Sequence, residues 1–262
     1  MEGASSTAGR RPLLFLVVTV AITLPFYALL AFDLPMPFGL PPTLVTIVLP
    51  GLVATVMTSF EAGGRGVARL WASLDPRLTR TLRPWLAAFL IAPLAALVDW
   101  QLRAWWGVGT ATGGTLTPLT MAPAYFIAFM VGAIPEEIGW SGYATGPLAS
   151  RWGILRAGLA IGLVWTAWHW IPYVSEGRPV EWIMGQALLT IALRIVSVWL
   201  FVTGGESTLL VCILHGFSNL AALYPSGFAE SNPWMLFVGL LVVVPAAAAM
   251  AHLIDDRRRR NA

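Results

Sequence analysis

The chain has 262 residues, 57% of them hydrophobic and only 11% charged, with a formal net charge of +3 and a mean hydropathy of +0.74. Soluble domains carry about twice that charge fraction, so a water-soluble enzyme is excluded. The single cysteine, Cys212, excludes an intrachain disulfide and any cysteine-rich metal cluster. All sixteen basic residues are arginine, and they collect between apolar runs without forming a nucleic-acid-binding module. That usage, with abundant Ala and Gly, fits a GC-rich bacterial genome.

Apolar runs of about 17 to 25 residues recur along the chain, the length that a hydrocarbon core about 30 Å thick demands of a spanning helix. They predict an all-α, polytopic transmembrane bundle with spans near 12–32, 40–60, 84–100, 119–143, 154–173, 182–203, 207–223 and 233–254. The whole chain, 1–262, reads as one membrane domain, a multi-pass protein of the cell membrane. The first run follows Arg10 and Arg11 like a signal-peptide core, but no small-x-small cleavage site follows it, so it is expected to stay as a span.

Pro, Gly and charge mark the connections: "DLPMPFGLPP" after the first span, "EAGGRGVARLWASLDPRLTRTLRP" after the second and "SEGRPVE" after the fifth. The second of these, with Leu70 and Trp71 among its arginines, suits an amphipathic helix on the membrane surface. Placing the amino terminus in the cytoplasm puts Arg10, Arg11, Arg65, Arg69, Arg77, Arg80, Arg83, Arg151, Arg156 and Arg257 to Arg260 inside. Only Arg103 and Arg178 then fall outside. Basic residues stay on the side from which helices insert, so both termini are expected in the cytoplasm. The terminal "DDRRRR" reads as a stop-transfer anchor.

The polar residues left within the spans are Glu136 and Glu137 in span four, His169 in span five, Arg194 in span six, and His215 with Asn219 in span seven. An ionisable group near mid-bilayer costs about 2.5 to 3.5 kcal/mol unless paired or wet. These groups are therefore expected to meet one another or to line a water-filled cavity. His215 and Asn219 share a helix face at a spacing of four, as do Trp165 and His169. Adjacent residues are about 100° apart around a helix, so Glu136 and Glu137 should face different partners and play different roles. Pro135 should break or kink span four just before them. If a second half-helix begins there, the two acids sit at its positive end. Cys212 reads as a small buried residue.

In order, "EEIGWSG", "WTAWH" and "HGFSN" resemble the motifs of the CPBP intramembrane proteases, which include the type II CAAX prenyl endopeptidases. The resemblance covers about Pro135 to Leu220, within a core of 119–223. It implies an endopeptidase that hydrolyses a peptide bond of a membrane-associated peptide or protein through a glutamate-activated water. Carried over by position, Glu136 is the general base, His169 helps to hold the water, His215 and Asn219 steady the oxyanion, and Glu137 orients. A carboxylate taken out of water is a better base, and imidazole and amide N–H groups suit a developing oxyanion.

The family's arginine four residues after the second glutamate is Ser141 here, and its common phenylalanine is Trp165. Arg194 is expected to pair with Glu137 in that arginine's place. No cofactor is expected. A zinc site built from Glu136, His169 and His215 is the disfavoured alternative, because the spacing is not "HExxH". A non-catalytic membrane immunity or binding protein and an ion-coupled transporter are the competing functions; the inverted repeats common in transporters are missing. The lipid bilayer and a membrane peptide are the expected partners, and nucleic acid is not.

Overall fold

In the computed structural model, residues 10–32, 34, 42–107, 118–224 and 232–260 are described, without the side chains of 42, 43 and 253–260. Among them the chain forms eight α-helices and no strand: α1 (Pro12–Ala31), α2 (Pro42–Ala72), α3 (Leu82–Trp106), α4 (Ala122–Glu137), α5 (Gly146–Ser175), α6 (Val180–Thr203), α7 (Thr208–Leu223) and α8 (Pro233–Arg260). In hydrocarbon every backbone N–H and C=O needs an internal partner, and helices supply it within one segment. The chain is thus an all-α, multi-pass membrane protein. The "DLPMPFGLPP" connection lies largely outside the described residues, as do the side chains of the basic tail.

The helices follow the expected order, but six stretches rather than eight meet the length and hydropathy of a span. Two causes account for the difference. Helix α7 has 16 residues, short of the roughly 20 that cross a bilayer. Helices α4 and α5 are not separated by a loop: a π-helical segment, Ile138–Thr145, joins them into one helical path. Pro135 therefore does not break the chain, because the helix runs through it. The glutamates close α4 instead of opening a new half-helix, so no positive dipole end lies beneath them. The sharp change of direction comes later, at Gly153, whose φ of 75° favours glycine.

The eight helices make a closed circuit in which each packs on two neighbours, in the order α1, α2, α4, α7, α3, α8, α6, α5 and back to α1. The π segment sits at the hub and touches α1, α2, α4, α5, α6 and α7. All eight of its residues are buried.

Two close approaches set the hub. At the crossing of α2 with α4, a Cβ on Gly51 would stand 2.6 Å from the Pro135 carbonyl oxygen, and one on Gly139 would stand 2.6 Å from that of Pro50. On α5, Gly158 and Gly162 form a small-xxx-small face against Ile195 and Ile191 of α6, the pattern that lets membrane helices approach closely.

The stretch after Gly63 (φ 62°) is helical, and it folds back so that Trp71 Nε1 donates to Thr55 Oγ1 at 3.1 Å. Its Leu70 is buried in the core. One sequence expectation is corrected. Arg103 does not lie in an outer loop: it closes α3, buried, and donates to Asp99 at 2.8 Å.

The glycine contacts give a signed prediction. In an open helix, Gly→Ala is worth about 0.4–1 kcal/mol of stabilisation; at Gly139 the added methyl meets backbone that cannot move away. Gly139→Ala should lower the unfolding temperature in detergent, while Gly64→Ala, with nothing within 4 Å, should leave it level or raise it. Equal responses would refute the close crossing.

Candidate active site

Helix α4 ends on Glu136 and Glu137, both buried. Four elements deliver the groups around them: the π segment brings Ser141, α5 brings Trp165 and His169, α6 brings Arg194, and α7 brings His215. The polar cluster is set between the two apolar clusters of the core, one built on α1, α2, the π segment and α5, the other on α3, α6, α7 and α8.

Glu137 is saturated. Its Oε2 accepts from Arg194 Nη1 at 2.7 Å and from Ser141 Oγ at 2.5 Å. Its Oε1 accepts from Arg194 Nη2 at 2.9 Å and from His215 Nδ1 at 2.9 Å. The Arg194 pair is bidentate, the geometry a guanidinium fork offers a carboxylate, and both side chains are essentially fully buried. Arg194 thus stands opposite Glu137 from another helix, as the exchange of the motif arginine for Ser141 led one to expect. Ser141 fits a small donor into the remaining space, and its Oγ also accepts from Arg194 Nη1 at 3.4 Å.

Glu136 has a different environment. Trp165 Nε1 donates to its Oε2 at 3.1 Å, and no other direct side-chain bond to Glu136 is formed among the described residues. The indole is the centre of the site. Its ring meets His169 edge-on with centroids 5.2 Å apart and His215 at 5.3 Å. The Arg194 guanidinium lies 4.1 Å over its centroid, within the range of a cation–π contact. The acid of α4 and the imidazoles of α5 and α7 therefore all contact one side chain, Trp165.

Hydrogen-bond partners also set the imidazole tautomers. His169 Nδ1 lies 2.9 Å from the Trp165 carbonyl. A carbonyl only accepts, so Nδ1 carries the proton and Nε2 is an acceptor in the neutral ring. His215 Nδ1 likewise donates to Glu137, leaving Nε2 as its working nitrogen. Asn219 lies one turn beyond His215, half-buried, with no hydrogen bond to the cluster among the described residues.

Among the described residues, no group of three His, Cys, Asp or Glu side chains converges as a metal site. Cys212 is buried, with Sγ 4.0 Å from the Ala133 carbonyl, and packs as a small apolar residue.

Residues that the sequence reading passed over also belong here. Tyr173 stacks on His169 with centroids 5.7 Å apart, and Tyr27 and Tyr173 both lie within electrostatic reach of Glu136. Tyr173 continues the four-residue spacing of Trp165 and His169, so a signal was available.

Residues 118–221 match the family described as type II CAAX prenyl endopeptidase Rce1-like. A curated relative, CAAX prenyl protease 2 of Methanococcus maripaludis, is 27% identical over 145 residues, covering 50% of this chain and 53% of the relative. The chain spans about half the length of that curated relative. The matched segment holds Glu136, Glu137, Trp165, His169, Arg194, His215 and Asn219, in agreement with the resemblance carried by the three motifs.

Breaking a buried pair by removing one partner costs about 3–5 kcal/mol, because the other charge is left uncompensated. Arg194→Met should destabilise on that scale in detergent unfolding. Adding Glu137→Leu should recover much of the loss. Purely additive losses would contradict the pairing.

Proposed function

We propose that this chain, whose residues 118–221 are of the type II CAAX prenyl endopeptidase type, is an intramembrane endopeptidase that cleaves a membrane-associated peptide or protein with a water activated by Glu136. The observation that carries the reading is the unequal bonding of the two acids. Glu137 has every acceptor position occupied and acts as a positioning residue for His215. Glu136 keeps Oε1 for a water while Trp165 holds Oε2.

In the first step a water bound between Glu136 Oε1 and His169 Nε2 gives one proton to Glu136, and its oxygen attacks the scissile carbonyl carbon. His169 accepts a hydrogen bond from the water's other proton, the role its tautomer permits. The carbonyl oxygen becomes an oxyanion, stabilised by His215 Nε2–H and the Asn219 amide. When the intermediate collapses, the C–N bond breaks and Glu136 passes its proton to the leaving nitrogen, yielding an acid and an amine. For His215 to donate from Nε2 it must be an imidazolium. The quartet of Glu136, Glu137, Arg194 and His215 then sums to zero charge, which lowers the cost of holding it inside the membrane.

No serine or cysteine offers a competing nucleophile beside a base: Ser141 is committed to Glu137 and Cys212 is buried in apolar packing. A non-catalytic immunity protein of the same family is the second reading, favoured by the missing motif arginine. The arginine from α6 weakens that objection.

Removing a positioned general base typically costs about 10²–10⁴ in rate. Comparative membrane proteomics of cells carrying the native chain or Glu136→Gln should reveal a peptide whose processing falls by that order, with the variant still accumulating in the membrane. Unchanged processing would refute the reading. Protein shown metal-free by elemental analysis should retain activity in strong chelators; loss reversed by zinc alone would overturn the metal-independent mechanism.

A further inference from the structure

We propose that Arg10, which lies outside the polar cluster, is a positioning residue for it: the guanidinium supplies hydrogen bonds that Pro147 cannot, fixes the π segment, and so keeps Ser141 on Glu137. The coupling of Arg10 to the cluster stands on its own; that it serves hydrolysis rests on the proteolytic reading above.

The sequence lacks a donor at one junction. In a π-helix each N–H serves the carbonyl five residues before it, and in an α-helix the carbonyl four before it. Proline has no N–H to give. Pro147 is the second residue of α5, directly after the π segment. Five residues before it stands Gly142, and four before it Tyr143. Whichever winding holds at this junction, one of these two carbonyls loses its helical donor. Both residues are buried, and a buried backbone carbonyl is costly to leave unpaired.

Arg10 fills the gap from outside the helix. Its Nη1 donates to the Gly142 carbonyl at 2.6 Å and to the Tyr143 carbonyl at 3.4 Å. The donor is charged, and such bonds are roughly twice as strong as neutral ones. The chain around Arg10 is anchored on the same segment. The Arg11 amide donates to Tyr143 Oη at 3.2 Å, and Tyr143 Oη donates to Glu61 of α2 at 2.8 Å. The Arg10 guanidinium lies 5.4 Å from the Tyr143 ring centroid, within cation–π range. Phe15, in the first turn of α1, packs on Trp140 and Tyr143 with centroids 5.6 and 5.1 Å apart.

The opposite side of the segment is equally tight. A Cβ on Gly142 would stand 3.1 Å from Thr208 Oγ1, 3.3 Å from the Leu70 side chain and 3.4 Å from Ser73 Oγ. Ser73 Oγ in turn donates to Thr208 Oγ1 at 2.8 Å, and the Thr208 amide donates to the Ser73 carbonyl at 2.8 Å. Gly142 is thus held between Arg10 and the link from α2 to α3. Its chain neighbour is Ser141. Without Arg10 the carbonyl beside Ser141 must find another donor, and the segment has to shift to offer one. Ser141 then leaves its 2.5 Å position on Glu137, and the hydrogen bond from His215 to the same carboxylate changes with it.

The chain has three histidines, His169, His215 and His252, so the imidazole signals of protein isotope-labelled at histidine nitrogen can be assigned by single replacements. Magnetic resonance in lipid nanodiscs compares the native chain with Arg10→Met, Pro147→Ala and the double variant. Arg10→Met keeps the apolar stem and removes the donors; Pro147→Ala returns a backbone N–H that can serve the same carbonyls. Arg10→Met should shift the His215 Nδ1 signal in the direction that Ser141→Ala shifts it, and leave His252 unmoved. Pro147→Ala alone should keep the native His215 signal, and added to Arg10→Met it should bring that signal back. If Arg10→Met does not accumulate, recovery of folded protein in the double variant is the readout. A His215 signal indifferent to Arg10→Met, a loss that Pro147→Ala does not restore, or a Pro147→Ala protein that fails to fold with Arg10 in place would each overturn the proposal. None of these readouts needs hydrolysis, so a failed Glu136→Gln experiment beside the expected His215 shifts refutes the protease reading alone.

Discussion

The bidentate contact between Glu137 and Arg194 is the constraint on which the rest of the molecule depends. A carboxylate and a guanidinium taken together out of water are tolerable only if they are paired and their remaining positions are filled. Here Ser141 and His215 fill the carboxylate, and the Trp165 face covers the guanidinium. That arrangement ties α4, the π segment, α5, α6 and α7 to a single point. It also separates two adjacent glutamates chemically: one is consumed by structure and one is left with an acceptor to spare.

The helices are placed to serve that point. Gly158 and Gly162 let α5 approach α6 closely enough for Trp165 to lie on Arg194, and Gly51 with Gly139 lets α2 press on the path from α4 into the π segment. The wider i→i+5 winding of a π-helix commonly occurs at functional sites. Here it follows Glu137 directly and brings Ser141, four residues on, back to the same carboxylate. Arg10 donates to carbonyls at the far end of the segment, so the chain just before α1 is coupled to it as well.

Much of this was legible in the residues. Costly polar groups in four apolar runs pointed to one another because lipid leaves them no alternative, and the Ser141 exchange pointed to Arg194. The helix order followed from run lengths and from Pro and Gly punctuation. What local pattern could not carry was the continuity of α4 through Pro135. A proline breaks a helix in water, but neighbouring helices and a π adjustment can satisfy the freed backbone within a membrane protein. The burial of Leu70 and of the Asp99–Arg103 pair was equally out of reach, since each depends on contacts made by distant parts of the chain. Tyr173 was visible as a four-residue continuation of Trp165 and His169, and its stacking on His169 needed coordinates.

The most direct measurement is an experimental structure of the chain in a lipid nanodisc with a peptide phosphinate, whose tetrahedral phosphorus imitates the intermediate of amide hydrolysis. The account predicts one phosphinate oxygen on Glu136 and the other toward His215 and Asn219, with Glu137 still held by Arg194 and Ser141. A phosphinate bound by Glu137, with Arg194 turned away, or one lodged outside the cluster would contradict it.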